Sequence, residues 1–416
     1  MPLSEGVQVR VAYKAYATGA ITANTEATSS VDPGASGGQI LRRVSSTLKL
    51  AKKTYQSNEI LASRQIADYR HGARSVTGGL NCEWSPGTYF DFIEAVCRGT
   101  RAAGASKSHT DLTSMTASKS ASTITYGGGD PVALGYSVGD VIRHTGITTT
   151  PANNNVNFVI LGFGGTTNET LTVFPPPADQ ASDTAFSVAA PGHNVLIPST
   201  GHVSRKFAFE HFFQNLASPY YNLFTECRIG GVKWSLPASG MSTFDLTVMG
   251  RDMETGSGAA FFTSPAASNT NGIFAAVNGL LRVGGSTVGV VTGLTIDMNL
   301  NPTVDDVVGQ NFAPEVFLGK ANVTGQMTAL LQDGTLIDDF KNESEIDILT
   351  YVTASNAANA PANTIYIPRV KFGDAPVGVT GEGGQIITLP YQALLYNGST
   401  PGVPVTTIRV CDTEVA

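Results

Sequence analysis

One short pattern occurs twice in this chain at a fixed distance. Val76-Thr77-Gly78, then Gly87-Thr88 and Asp91, returns as Val323-Thr324-Gly325, Gly334-Thr335 and Asp338, a constant shift of 247 residues with no gap. A repeat of that kind says that the chain builds one structural unit twice, and it has to be recognised before any local reading. Each copy gives the same instructions. An extended, roughly alternating stretch (76–84 and 323–331) predicts a strand, a Gly turn follows, and Thr88 with Asp91, or Thr335 with Asp338, has the spacing of a helix capping box. Beyond the caps, Tyr89, Phe92, Ile93 and Val96, and in the second copy Leu336, Ile337 and Phe340, fall at helical spacing and predict one buried stripe.

A second match joins Val232-Lys233-Trp234 to Val370-Lys371-Phe372, each before an apolar-rich strand (243–249 and 385–393), at a shift of 138. The two shifts, 247 and 138, differ by 109 residues, so the first copy holds about that much additional chain, which residues 103–203 supply. This stretch opens on Ser/Thr/Gly-rich sequence. Five short strands are then expected, at 122–126, 140–144, 157–161, 169–174 and 185–189, enough for a small barrel inserted in a host loop. Insertions succeed at exposed loops with close ends, which predicts an outward, decorative unit whose removal leaves assembly intact.

A chain of 416 residues has the bulk for two or three domains. Only 14% of it is charged and Gly is abundant at 45 residues, which suits strands joined by many turns. The net charge of -7 argues against a sequence-neutral nucleic-acid binder, which needs a basic footprint to displace counterions, and leaves room for contact with DNA without affinity. Cys82, Cys97, Cys227 and Cys411 are scattered without CxxC spacing and read as free, buried thiols. The first residues lack the apolar core of a signal peptide and no apolar run is long enough to span a bilayer, so a cytoplasmic protein without a membrane segment is expected.

Asn58-Glu59-Ile60 with Ser63-Arg64, the Val76-Thr77-Gly78 strand, the helix over 88–96, and Phe209-Glu210-His211-Phe212-Phe213 leading to Tyr221 and Val232-Lys233-Trp234 carry a resemblance to a known family. Over roughly residues 40–100 and 200–400 the chain resembles the tail tube proteins of long, noncontractile phage tails, in the subset whose tube domain is duplicated within one chain. The second copy departs from the first: Asp305-Asp306 stands for Asn58-Glu59, and Asn311 for Arg64.

The resemblance implies a mainly β fold: two tandem tail-tube β-sandwich domains (1–102 plus 204–275, and 276–416), each flanked by a short α-helix, with the small β-barrel of 103–203 inserted in the first. It implies a virion protein, assembled in the host cytoplasm, of which three chains form a ring with pseudo-sixfold symmetry. Rings stack into the hollow tube through which DNA passes without specific binding, with the tape-measure protein, tail terminator and distal tail proteins as partners. A long loop reaches the next ring in that family, and the Pro/Gly-rich stretch with Asp32, Pro33, Gly34, Gly37 and Gly38 is the candidate here.

Charge separates the two copies. Residues 42–74 carry eight Lys/Arg, among them Arg42, Arg43, Lys52 and Lys53, against two acids, a net of +6; the equivalent window 289–321 carries Asp297, Asp305, Asp306 and Glu315 against Lys320, a net of -3. Opposed charge of this kind would favour contacts between unlike copies. The alternative is two solvated faces. A lumen that lets DNA slide should repel phosphate, and Glu83, Asp245, Asp297 and Asp347, on expected strands, are its candidate acids.

Catalysis finds no support. The six histidines form no HxxxH or HxH pair, so no metal site is expected, and His211 reads as a packed aromatic. The adjacent carboxylates Asp305-Asp306 and Asp338-Asp339 read as solvation and helix-start acids. The glycine clusters Gly127-Gly128-Gly129 and Gly381-Glu382-Gly383-Gly384 lack a phosphate loop's spacing and read as turns, there is no GxSxG elbow, and no cofactor is expected. A β-rich virion decoration or adhesin protein binding host surface glycans is the alternative function, with a carbohydrate-active β-sandwich enzyme further behind. The enzyme would need a cleft with converging carboxylates or an aromatic platform, and the two tryptophans, Trp84 and Trp234, both lie on repeat strands where a core would use them.

Overall fold

Alternation of side chains builds the central strands. In Thr243–Gly250, Phe244, Leu246 and Val248 are buried while Thr243, Asp245 and Thr247 lie toward the other face, the period of two that holds a sheet against a core. The computed structural model describes residues 3–17, 33–275, 279–287, 291–376 and 384–415. The fold is mainly β, with three short α-helices among the described residues.

The strands that organise it are β1 (Val9–Ala15), β2 (Lys49–Gln56), β3 (Tyr69–Glu83), β4 (His193–Leu196), β5 (Phe207–Phe213), β6 (Tyr220–Pro237), β7 (Thr243–Gly250), β8 (Asp252–Ser257), β9 (Val291–Asn299), β10 (Asn322–Leu330), β11 (Ile346–Thr353), β12 (Ala362–Phe372), β13 (Ile386–Ala393) and β14 (Arg409–Asp412). The helices are α1 (Phe90–Cys97), α2 (His109–Leu112) and α3 (Thr335–Lys341).

Two four-stranded antiparallel sheets share one construction. The first runs β2-β3-β7-β6 and the second β9-β10-β13-β12. The C-terminal half of β6 then pairs with β9, from Gly231 opposite Asn299 to Pro237 opposite Gly293, and fuses the two into one eight-stranded sheet. A second layer covers it. Over the first repeat it includes β1, β5, β8 and the N-terminal half of β6; over the second, Gly279–Val283, β11, the N-terminal half of β12, β14 and β4. β6 and β12 are thus shared between layers, and β6 turns at Glu226, which takes a left-handed φ of 48°. A common apolar core runs through both repeats, with Trp84, Trp234 and Phe244 among its largest side chains.

The registers correct one expectation. Thr77 faces Met249 and Thr324 faces Gln392, so β7 and β13 are related by 143 residues; Met249 faces Arg228 and Gln392 faces Lys371, which extends that shift to β6 and β12. Val370 therefore stands where Cys227 does, and the Val-Lys-aromatic match at 138 is five residues out of register. The triplet misleads because any buried-exposed-buried run satisfies the same alternation, and a bulge between Ile229 and Gly231 lets successive triplets of β6 present the same face. The shifts 247 and 143 differ by 104, not 109.

Both helices follow their repeat strands, but neither starts with the expected capping box. Tyr89 is the N-cap of α1 and Gly334 that of α3, and neither gives a side-chain cap. Thr88 instead bonds the Ser85 hydroxyl at 2.8 Å and Asn269 at 3.0 Å, while Asp91 accepts from the Tyr13 hydroxyl at 3.0 Å and from Arg101. Tertiary partners took both side chains. A capping box does form on α2, where Ser108 and Asp111 satisfy each other's backbone amides. The stripe Tyr89, Phe92, Ile93 and Val96 is buried, with Phe92 4.7 Å from Tyr13 between ring centroids; Leu336, Ile337 and Phe340 of α3 pack only half-buried.

The repeated glycine of the Val-Thr-Gly strand has a physical cause in each copy. Gly78 has a φ of 147° and a Cβ there would run into the Thr47 carbonyl, while one at Gly325 would overlap the Thr295 carbonyl and the Tyr391 hydroxyl, which hydrogen-bond to each other at 2.9 Å. Replacing Gly325 with alanine is expected to cost about 1–3 kcal/mol by overpacking, read as a lower denaturant midpoint at unchanged slope.

Residues 106–189 form a separate eight-stranded sheet around their own apolar core, which includes Ile124, Phe158, Leu171 and Phe186. The five expected strands are present as Thr123–Tyr126, Val141–Thr145, Phe158–Gly164, Thr170–Phe174 and Ser187–Ala189, joined by Ser106–Ser108, Met115–Ser118 and Gln180–Asp183. The order has two ends, Gln180–Asp183 and Ser106–Ser108, with no pairing between them among the described residues. Before and after this unit, Ala102–Ala103 pairs with β4, so its ends leave side by side; β4, which precedes residue 203, belongs to the large sheet system through β14. A further apolar cluster joins this unit to the second repeat, with Val138, Val141 and Val159 against Leu280, Leu349, Tyr351 and Tyr366. All four cysteines are free and buried, and burial pushes the thiols of Cys82, Cys97 and Cys411 up to about 12.

Candidate assembly surfaces

The eight-stranded sheet has two edges. β2 bonds β3 on one side, and Lys371 and Phe372 at the end of β12 bond β13; among the described residues no strand covers the opposite side of β2 or of these two residues, whereas Val370 still meets Ile346 of β11 there. Between these edges one face of the sheet is turned from the core, and a single row of side chains crosses it in register: Asn81, Asp245, Lys233, Asp297, Thr324, Gln392 and Lys371.

Three of the four acids singled out for a lumen lie on this face. Asp245 accepts a hydrogen bond from Asn81, and Glu83 lies two residues along the same strand from Asn81. Burial holds the Asp297 carboxyl above its ordinary value, with the opposing Lys233 charge acting to lower it. Asp347 is elsewhere: in β11 it accepts from the amide of Gly285 at 3.1 Å and closes the turn there.

The charged residues expected between copies are distributed differently. Lys53 meets Asp306 at 2.6 Å within the chain, while Asp305 and Lys52 make no ion pair among the described residues. Arg42 bonds Ser85, Asn269 and the Asn271 carbonyl, and Arg43 donates to the Val9 carbonyl, so both serve the first repeat internally. Glu315 accepts from Lys206 at 2.8 Å and pairs with Arg228 at 3.2 Å.

Glu315 completes an ion cluster that no sequence pattern announced. At the bend of β6 the fully buried Glu226 pairs with Lys206 at 2.9 Å and with Arg251, whose Nε donates to the Ala313 carbonyl at 2.9 Å while its guanidinium covers the Phe312 ring at 5.1 Å. Phe312, Ala313 and Glu315 lie in the loop between β9 and β10, so the cluster fastens the second repeat to the first. Burial works to raise the Glu226 carboxyl, but the hydrogen bonds from Arg251 and Lys206 outweigh it and hold the group below the ordinary range. The only trace in the sequence is a run of charges, Glu226 and Arg228 around Cys227, inside an otherwise apolar strand. His211 is buried against Phe224, bonds the Ser46 hydroxyl at 2.8 Å, and is lowered by burial to about 4.

Asp32 lies outside the described residues. The rest of its segment is tied down: the carbonyls of Pro33, Gly34 and Ser36 accept from the Lys14 ammonium at 2.7–3.0 Å, Gly37 bonds Thr263, and Gly38, at a φ of 93°, lies against the Tyr13 carbonyl. The β2–β3 hairpin is the more exposed feature. Ile60 at its tip is 97% exposed, and Tyr55, Ile66 and Tyr69 are more than half exposed. Its base is held by the β9–β10 loop, where the Arg74 amide donates to Asn311 at 2.9 Å.

Among the described residues no group of three or more His, Cys, Asp or Glu could hold a metal ion, and no helix is long and apolar enough to cross a membrane. Fold and surface together define a β-sandwich protein whose distinctive features are strand edges, a polar sheet face and an exposed hairpin. A family model described as phage tail tube protein matches residues 6–393, and the chain belongs to that family, as a structural component of a phage tail. No match to a curated protein is found.

Proposed function

We propose that each repeat is one tail-tube domain, that three chains close into a ring with pseudo-sixfold symmetry, and that stacked rings form the hollow tube that delivers DNA. One observation carries this reading. The β6–β9 joint is an example, within a single chain, of two repeats meeting edge to edge, and β2 and β12 are left at the outer ends of the fused sheet as the corresponding edges for the next chains. A heterologous joint of this kind closes into a ring when the rotation per repeat divides the circle.

In this reading the polar sheet face lines the lumen. Lys233 stands between Asp245 and Asp297 in the row across it, so the face offers phosphate no run of cations and DNA can slide. The hairpin of β2 and β3, with its exposed Ile60 and Ile66, takes the role of inter-ring contact that the sequence assigned to residues 32–38. The unit of residues 106–189 is a separate inserted domain on the tube's exterior. The protein catalyses nothing, assembles in the host cytoplasm, and meets the tape-measure, terminator and distal tail proteins at the ends of the tube.

Electron microscopy of the purified chain, with mass measurement in solution, tests the proposal. Rings or hollow filaments built from trimers are expected; a persistent monomer at high concentration would sink it.

A further inference from the structure

The ion cluster at the bend of β6 has a counterpart at the bend of β12, and the counterpart is incomplete. Phe207 faces Cys227 as Ile346 faces Val370, which makes Lys206, Glu226 and Arg228 equivalent to Glu345, Arg369 and Lys371. The pair Lys206–Glu226, at 2.9 Å, reappears as Glu345–Arg369, at 2.6 Å, with the signs exchanged. The remaining member differs. Arg228 is held by Glu315 from the loop of the adjoining repeat, whereas among the described residues Lys371 has only carboxylates of its own repeat at the limit of pairing, Glu345 at 3.8 Å and Glu343 at 4.0 Å, and is 37% exposed.

At the 247-residue shift the position of Glu315 in the first repeat is Asp68, seven residues before Ser75 as Glu315 is seven before Asn322. Asp68 belongs to the β2–β3 hairpin, at the opposite end of the eight-stranded sheet from Lys371. It is 51% exposed and, among the described residues, forms an ion pair only with its near neighbour Arg70, itself largely exposed, at 2.6 Å. Each chain thus carries both halves of the joint, on opposite edges where they cannot meet each other.

We infer that Asp68 of one chain binds Lys371 of the next and completes between chains the contact that Glu315 and Arg228 make within one. The inference rests on the ring reading, since it supplies the residues of the ring's interchain joint. An exposed pair adds modest attraction, but a like-charge substitution there is repelled at every joint of the ring.

Asp68→Lys and Lys371→Asp, separately and together, test it. Asp68 is 51% and Lys371 37% exposed, so the variants should stay folded, with the melting temperature of each as the check. Each single reversal is expected to raise the critical concentration for assembly about tenfold at low ionic strength, and the double reversal to return it to within about twofold of wild type. Independently, the chain carrying Asp68→Cys and Lys371→Cys should be linked into covalent dimers and trimers by a short bismaleimide, the four native thiols being buried. Wild-type rings together with indifferent single reversals and no cross-link would overturn this contact alone. If the wild-type chain neither assembles nor cross-links in its cysteine form, the ring reading falls with it.

Discussion

Glu226→Gln is expected to lower the free energy of unfolding by about 3–5 kcal/mol, seen as a fall in the denaturant midpoint, because it removes the carboxylate that Arg251 and Lys206 share in a buried site and leaves Lys206 with Glu315 as its carboxylate. Glu226 is inaccessible to solvent, Arg251 is 3% exposed and Lys206 is buried beside them. Water cannot reach these cations to replace the lost carboxylate. The effect should reach assembly as well, since the same cluster holds the β9–β10 loop, and the β6–β9 joint begins five residues after the bend. The exposed Lys53–Asp306 pair provides the contrast: Lys53→Ala should leave the denaturant midpoint essentially where it was, since solvent screens both partners. Acid should act in the same direction as Glu226→Gln. The carboxyl is held below its unfolded value, so its contribution is complete above the ordinary carboxylate range and is lost as pH falls through the lower folded value.

Periodicity and punctuation were legible in the sequence; register and pairing over long separations were not. The alternation of Phe244, Leu246 and Val248, the stripe of Tyr89, Phe92, Ile93 and Val96, and five strands of the inserted unit follow from local patterns that one buried face imposes. The first capping box failed because Thr88 and Asp91 found other partners in Asn269, Tyr13 and Arg101, the first two of which are far away in sequence. The strands at 106–108, 115–118 and 180–183 are three or four residues long and sit in or near polar sequence, too short for an alternation to declare itself. The ion cluster draws on Lys206, Glu226, Arg251 and Glu315, which span more than a hundred residues, and only the fold brings them together. Asp245 and Asp297 could be named as strand acids, but their place on one face beside Lys233 depends on the β6–β9 joint, which no local signal encodes.

Deleting residues 105–190 is expected to prevent the chain from assembling, the opposite of what a purely decorative insert would allow. Closure is not the obstacle, since the Gly104 amide donates to the Gly192 carbonyl at 3.0 Å and a short linker would bridge the gap. The obstacle is the surface left behind. Leu280, Leu349, Tyr351 and Tyr366 of the second repeat are buried against the inserted unit, and each is worth about 1.5–3 kcal/mol when covered. Polar contacts are cut at the same time: the buried Arg409–Asp140 pair at 2.7 Å, the Thr364 hydroxyl on the Gly139 carbonyl at 2.6 Å and the Asn157 amide on the Ala360 carbonyl at 2.7 Å. The uncovered residues would form one apolar patch on a protein that has strand edges to offer, and such patches drive aggregation. The truncated chain should therefore precipitate or melt well below the full chain. A companion variant, Asp140→Asn in the full chain, keeps the apolar cover and should destabilise by leaving Arg409 buried without its partner. If the truncated chain stays soluble and assembles at the wild-type concentration, the insert is dispensable and its contacts with the second repeat contribute nothing to the tube; if it precipitates while Asp140→Asn merely lowers stability, the unit that leaves the first repeat serves as a brace for the second.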